Sequence, residues 1–443
     1  MIVSRFLLLT VFWVLSFPVL SQTYWKVENE YGDEILLTIE INKEKNTFEA
    51  FTRKDALKDI AGTFTFTLAK TAGKLKYPEI VFIEGKTRQK SDSLMLNGTF
   101  IYFDKQFPFS GSISRNHLRG EYIDRNRPRK LTGVKLPNNK PIKDYAFIIN
   151  SAFILAEKNL ANTGWVKSVE WSEFKKKINE LKPKIADDYE LAATMEWLGK
   201  KLPFSPFAIN KTNPNSNPGE KKNRVAIREL NSTTALFDIS SLPDTKPETD
   251  SIAEVISKKG YQNLIVDLRG RNSITPCAAN HFLNLVSNKT GIAGVYLTRK
   301  WFSENTSIPK APEYSKVLKN FAEPCFTANE FYKEPGRTLA ISTIKKGFKG
   351  KVYVITDNRT SKVSEALVYL LKSEKRATIV GQKTVGSTVL VEQLPISKQF
   401  KLNLPVAEFY TTDGKTIGKE GIEPDIAVTG EDALKYIQKN LIK

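Results

Sequence analysis

Residues 352–388, VYVITDNRTSKVSEALVYLLKSEKRATIVGQKTVGST, set a strand, a polar turn and a helix in direct succession. Val352 to Ile355 reads as a buried strand, Thr356 to Ser361 as the turn. Val363, Ala366, Leu367, Leu370 and Leu371 then recur at i, i+3, i+4, i+7 and i+8, the spacing of one buried helical face. A turn that leads a strand into a helix N-terminus gathers backbone N–H groups and the positive end of the helix dipole, so it favours developing negative charge. The polar residues there are Thr360, Ser361, Lys362, Ser364 and Glu365. Ser364, on the first helical turn, is expected to cap the helix, and Glu365 to satisfy backbone N–H groups near its start.

Outward from this stretch, residues 225–430 alternate strands with helices. Asn263 to Arg269 is a buried strand ending in charge; Gly294–Thr298 and Thr378–Val380 are further strands, and helices are expected near 250–259, 278–287 and 363–375. That alternation predicts an α/β layer fold with a largely parallel sheet. Asp267 and Arg269 are read as a structural ion pair, and His281, beside Phe282 and Leu283, as core packing.

Residues 22–135 have a different texture, that of a small antiparallel β-domain. Thr63–Leu68 alternates Phe64 and Phe66 on one face, and Asn97-Gly98, Ser110-Gly111 and Arg119-Gly120 read as turns. No helix is expected in this region. Leu96–Phe100, Phe109–Ile113 and Leu118–Tyr122 look like successive strands of one meander. A helical subdomain, 136–213, follows, with periodic apolar residues over Tyr145–Leu160 and Trp171–Leu181 and helix formers over Asp187–Lys200. Asn210–Gly219 has the composition of a loop, and the α/β region takes up 214–443.

The 443 residues give room for two or three domains, and 41% hydrophobic content argues against disorder. Residues 1–21 carry Arg5, an apolar run from Phe6 to Leu20 and small or aliphatic Val19 and Ser21, the pattern of a secretory signal peptide; broken by Thr10, Ser16 and Pro18, the run is short for a membrane span. The mature chain is therefore expected to be secreted or periplasmic, with no integral membrane segment. The net charge of +19 is spread over scattered lysines interleaved with Asp and Glu, which points away from a nucleic-acid face. His117 and His281 are the only histidines, and Cys277 and Cys325 the only cysteines. No metal site or other cofactor is expected. The two cysteines leave one disulfide or two free thiols open.

Four stretches, in order, resemble the C-terminal-processing (tail-specific) serine proteases. They are Leu264–Gly270, containing Asp-Leu-Arg; the turn 352–365; Thr378–Gly386, similar to the family's Gly-x-x-Thr-x-Gly; and Asp413-Gly414 with Gly421-Ile422-Glu423-Pro424-Asp425, similar to its Gly-Ile-x-Pro-Asp signature. The resemblance implies a crotonase-like α/β core with a helical subdomain, serine-type peptidase chemistry, and a peptide or unfolded protein as partner. The family's peptide-binding PDZ module has no room before Val225.

At the catalytic positions the chain departs from that pattern. The family's turn is Thr-x-Ser-Ala-x-Glu, and the serine position here holds Lys362, beside Ser361. Members with a Ser-Lys dyad place the lysine twenty-five residues further on, where this chain has Ser387. The slot of the alternative histidine is filled by Phe204, and the glycine pair that shapes the oxyanion hole is replaced by Ser273 and Ile274. Lys362 and Ser387 are thus the candidate catalytic pair in exchanged places, with Phe204, Ser273, Ile274 and Ser361 as candidate substrate-binding residues. The expected function is that of an inactive, peptide-binding pseudoprotease. The alternative is an active serine endopeptidase using Ser387 with Lys362 as base.

Overall fold

The computed structural model describes residues 21–124, 127–137, 143–212, 227–238, 245–270, 274–317, 319–320, 333–344, 346–418 and 420–442. The expected signal peptide falls almost wholly outside this range, as do Ser273, Cys325 and most of the Asn210–Gly219 loop. The chain divides into two compact units, 1–143 with 184–193, and 144–183 with 194–443.

The first unit is built on a meander of eight antiparallel strands: β1 (Ser21–Asn29), β2 (Glu34–Asn42), β3 (Thr47–Phe51), β4 (Val81–Lys90), β5 (Ser93–Tyr102), β6 (Lys105–Ser114), β7 (His117–Asp124) and β8 (Arg127–Leu136). β1 pairs with β8, so the sheet closes into a barrel and leaves no open edge. Leu96, Phe100, Phe109 and Leu118 are buried, and the Phe100 and Tyr122 rings stack 4.2 Å apart.

Two local expectations are corrected here. The glycines at 98, 111 and 120 lie inside strands; the turns sit at Ser91-Asp92, Phe103-Asp104 and Arg115-Asn116, where Ser91, Phe103 and Arg115 take φ of 51–54°. Gly98 faces Gly85 across the β4–β5 pair, and a Cβ on Gly98 would stand 1.9 Å from the Glu84 carbonyl oxygen. Glycine is there for close backbone approach, not to turn the chain. The second correction is that Thr63–Thr71 is a helix, preceded by another at Ala56–Ala61. The Thr67 and Thr71 hydroxyls donate to the carbonyls of Thr63 and Thr67, at 2.8 and 2.9 Å, which is how the threonines of this strand-like pattern satisfy their hydroxyls within a helix.

Asp187, 1% exposed, accepts hydrogen bonds from the Leu36 and Glu190 backbone N–H groups, and burial pushes its carboxyl from 3.8 up to about 7. With a folded value above the unfolded one, the stability that the neutral form supplies is complete below about pH 4 and is lost as pH rises through about 7. The melting temperature is therefore expected to fall between pH 5 and 8, with Asp187→Asn flattening that slope. An unchanged slope in the variant would assign the dependence to other groups.

The second unit opens with helices Ala146–Asn159 and Val169–Leu181, the latter capped by Ser168, whose Oγ accepts from the Trp171 N–H at 3.2 Å. Its remaining strands are β9 (Ala208–Lys211), β10 (Arg228–Asn231), β11 (Thr234–Asp238), β12 (Asn263–Asp267), β13 (Gly291–Thr298), β14 (Lys319–Asn320), β15 (Gly336–Ile341), β16 (Lys351–Thr356), β17 (Ala377–Gly381), β18 (Val389–Pro395), β19 (Phe400–Tyr410) and β20 (Ile426–Ala427). One sheet runs β10-β11-β12-β16-β17-β20 and is parallel from β11 onward. A second sheet, β14-β15-β13-β19-β18, is mainly antiparallel, so the largely parallel sheet foreseen accounts for only one of the two.

Strand alternation explains the layering. Leu264, Val266, Val352 and Val354 point into a core shared with Ile252, Phe282 and Leu367 of the helices and with Tyr296 and Phe409 of the second sheet. Ile265, Tyr353 and Ile355 face the other way, onto Ala433 and Ile437. The helices of this core are Lys246–Lys259, Pro276–Val286 and Val363–Ser373. His281 is buried in the second of them, and Cys277, also there, is disulfide-bonded. Among the described residues no helix is long and apolar enough to cross a membrane.

Candidate active-site turn and cleft

The turn of interest lies beyond the carboxyl ends of the parallel strands β12, β16 and β17, where open α/β sheets generally place their ligands. Asp357, 4% exposed, anchors it by accepting from the N–H groups of Gly270, Arg359 and Thr360 and from the Arg359 guanidinium. These partners hold its carboxyl below the usual range against the opposing cost of burial. The Thr360 hydroxyl donates to the Leu268 carbonyl at 2.9 Å, tying the turn to the end of the Asp-Leu-Arg strand. Asp267 and Arg269 form the anticipated ion pair, and Arg269 also donates to the Gly430 carbonyl at 2.6 Å.

Lys362 is the N-cap of the Val363–Ser373 helix, with φ 61° and ψ −132°. A side chain rarely adopts this backbone conformation, which costs about 1–3 kcal/mol and persists only where the surroundings enforce it. Here they do. The Lys362 N–H donates to the Ser387 carbonyl at 2.6 Å, and the Val385 N–H to the Thr360 carbonyl at 3.0 Å. Glu365, fully buried, accepts from the Thr384 hydroxyl at 2.5 Å, the Gly386 N–H at 2.6 Å and the Ser387 N–H at 2.7 Å. Burial raises its carboxyl, with these bonds acting the other way. Glu365 thus satisfies backbone N–H groups as expected, mainly on the 384–387 segment, with the Lys362 N–H at the helix start also acting on its carboxyl. Ser364 does not cap the helix: it is buried, and among the described residues its Oγ has no hydrogen-bond partner. The unusual Lys362 backbone turns the chain into the helix without a side-chain cap.

The other sequence motifs brace this turn. Thr384 exchanges hydrogen bonds with Ile422, which follows Gly421. Gly421 has φ +70°, and a Cβ there would lie 2.3 Å from the Thr384 carbonyl oxygen, so the glycine of the Gly-Ile-x-Pro-Asp stretch is a steric requirement. Asp425 accepts from the Ile379 N–H at 2.8 Å and pairs with Lys372 at 3.1 Å.

Lys362 is half-buried, and burial lowers its ammonium below the ordinary lysine value. Among the described residues it has no ion pair, and no hydrogen bond joins its Nζ to Ser387 Oγ. The Ser387 hydroxyl instead donates to the Ser205 carbonyl at 2.9 Å. Ser387 and Phe204 line one cavity of about 430 Å³, with Trp165, Lys200, Leu202, Ser205, Val385 and Glu408 among its other walls. Phe204, 3% exposed, stacks on Trp165 at 5.1 Å and 26°. Ile274 is buried in the main core, and Ser361 is half-buried in the turn. The fold therefore brings Lys362, Ser387 and Phe204 to one neighbourhood, while Ile274 contributes to packing.

Glu408 and Trp165 were not legible as site residues. Glu408 receives the Tyr410 hydroxyl at 2.5 Å, and burial pushes its carboxyl up to about 7. The available signal was one acidic residue in the otherwise apolar stretch Pro405–Tyr410. Among the described residues no group of three or more His, Cys, Asp or Glu could hold a metal ion.

A strand, a strained turn and a helix thus stand above the parallel sheet, braced by the buried Glu365. Residues 233–428 match the model of peptidase family S41. It is 29% identical over 120 residues to the carboxy-terminal processing protease CtpB of Bacillus subtilis (strain 168), covering 26% of this chain and 25% of that one. It is 28% identical over 153 residues to the carboxyl-terminal-processing protease of Synechocystis sp., covering 34% and 31%. The chain thus spans about a quarter to a third of the length of these curated relatives. Among solved structures, the photosystem II D1 C-terminal processing protease aligns with 68% of this chain and 97% of its own, at 11% identity and a TM-score of 0.37.

Proposed function

We propose that this chain is an exported, catalytically inactive member of the tail-specific protease lineage that binds extended or C-terminal peptides. In this reading residues 22–135 are a separate β-domain, 136–213 a helical subdomain and 214–443 a crotonase-like core. The observation that carries it is the pairing of an intact, strained turn with a lysine at the nucleophile position. The backbone framework that would hold a nucleophile is retained, while Lys362 supplies no hydroxyl and the Ser387 hydroxyl is committed to the Ser205 carbonyl. Losing a nucleophile or base costs about 10⁶ in turnover. Phe204 in the histidine slot and Ser273-Ile274 in place of the glycine pair point the same way.

The second reading, an active endopeptidase in which Lys362 activates Ser387, draws on the lowered Lys362 value. It has to move the attacking atom away from the turn, and misplacement of about 1 Å costs roughly 100-fold.

An unpaired ammonium beside a helix N-terminus suits a ligand carboxylate, a charge-assisted contact worth about 1.5–3 kcal/mol, or roughly tenfold to somewhat over a hundredfold in affinity. A peptide-library screen followed by titration is expected to show that loss in Lys362→Ala. Unchanged affinity, or binding confined to the β-domain, would place function elsewhere.

A further inference from the structure

The cavity beside Ser387 is lined by charged and aromatic side chains outside the degenerate catalytic positions. Two charged side chains line it, Lys200 and Glu408. Lys200 is exposed, and its Nζ lies 5.2 Å from the centroid of the Trp197 ring. Glu408 projects from β19 between Leu297 of β13 and Val389 of β18, its cross-strand partners, both apolar. Tyr410 Oη donates to Glu408 Oε2, and among the described residues no lysine or arginine pairs with the carboxylate. The stacked Trp165 and Phe204 rings form another wall of the same cavity.

A carboxylate without a counter-ion, in a cavity walled by aromatic faces, is the chemistry that receives an organic cation: the carboxylate takes the charge and the rings take the alkyl stem and the cation's face. The volume, about 430 Å³, is within the range of small-ligand pockets, roughly 300–1,000 Å³.

Resting on the peptide-binding reading above, we propose that this cavity is a side-chain pocket selective for a basic residue, lysine or arginine, of the bound peptide, with Glu408 as its charge partner and Trp165 and Phe204 as its walls. The raised Glu408 carboxyl agrees with this, since burial without a cation penalises the charged form and an incoming ammonium relieves the penalty. Glu408→Gln keeps an oxygen to accept the Tyr410 hydroxyl while removing the charge.

The test is a binding titration of the full chain with labelled alanine-rich hexapeptides carrying one Lys at each position in turn, against the same peptides with norleucine or Glu. At one position Lys is expected to bind at least about tenfold more tightly than norleucine. In Glu408→Gln the advantage of Lys over norleucine is expected to shrink to within about twofold. Peptide binding with no Lys preference overturns this proposal and leaves the peptide-binding reading standing, whereas no binding of any peptide overturns both. The comparison of Lys with norleucine on the wild-type protein needs no variant, so a Glu408→Gln protein that fails to fold does not shield the proposal.

Discussion

Fluorophosphonate treatment is expected to leave the wild-type protein unlabelled and its casein-hydrolysing activity at background, while the double exchange K362S/S387K becomes labelled at position 362 at least about 10³-fold faster. The wild-type expectation follows from the site: position 362 has no hydroxyl, and that of Ser387 is spent on the Ser205 carbonyl. The expectation for the exchange follows from the backbone. Position 362 already holds the strained conformation at the strand-to-helix turn, and its N–H is bonded to the residue 387 carbonyl at 2.6 Å, so the two positions are adjacent by construction. Restored proteolysis is expected to stay about 10²–10³-fold below a complete site, because the exchange leaves Ser273 and Ile274 in place of the oxyanion glycines. Stoichiometric labelling of the wild type at Ser361, Ser364, Ser387 or Ser205 would end the pseudoprotease reading. An exchanged protein that folds but never labels would show that the turn no longer presents position 362 to a reagent.

Glu365→Ala is expected to lower the stability of the α/β unit by about 3 kcal/mol, a fall of roughly 6–12 °C in melting temperature. Its two carboxylate oxygens take three donors, and truncation strands the Gly386 and Ser387 N–H groups and the Thr384 hydroxyl in a buried site. The full cost of an unmade buried bond then applies to each, offset in part because a buried carboxylate no longer has to be kept. Glu365→Gln, which retains one oxygen, is expected to lose roughly half as much. A melting temperature within 1–2 °C of wild type in Glu365→Ala would show that the 384–387 segment is not held by this residue.

The α/β order was readable because its signals are local. The apolar faces of Val363–Leu371 and of Asn263–Asp267 repeat at helix and strand periods, and both elements stand where those periods place them. The barrel strands were readable in part, from Leu96–Phe100, Phe109–Ile113 and Leu118–Tyr122. Their glycines misled, since a glycine that permits a turn and one that permits close strand packing are the same letter. The threonine-rich Thr63–Thr71 misled for a related reason, since a threonine can serve a strand or, with its hydroxyl bonded four residues back, a helix. Glu408 and Trp165, from remote parts of the chain, carried no shared local pattern at all.

Sequence alone determined that residue 362 is a lysine, that a serine stands at 387, and that a strand and a helix flank the first of them, because side-chain identity and periodicity are properties of the chain as written. Only the tertiary structure decided what those residues do to one another. It gave Lys362 its positive φ and its burial, turned Glu365 from its own helix toward the 384–387 segment, and spent the Ser387 hydroxyl on Ser205. It also set Glu408 in the cavity with Trp165 and Phe204. Desolvation, hydrogen-bond choice and backbone strain depend on which remote segments close over a residue, and that is settled only when the chain packs.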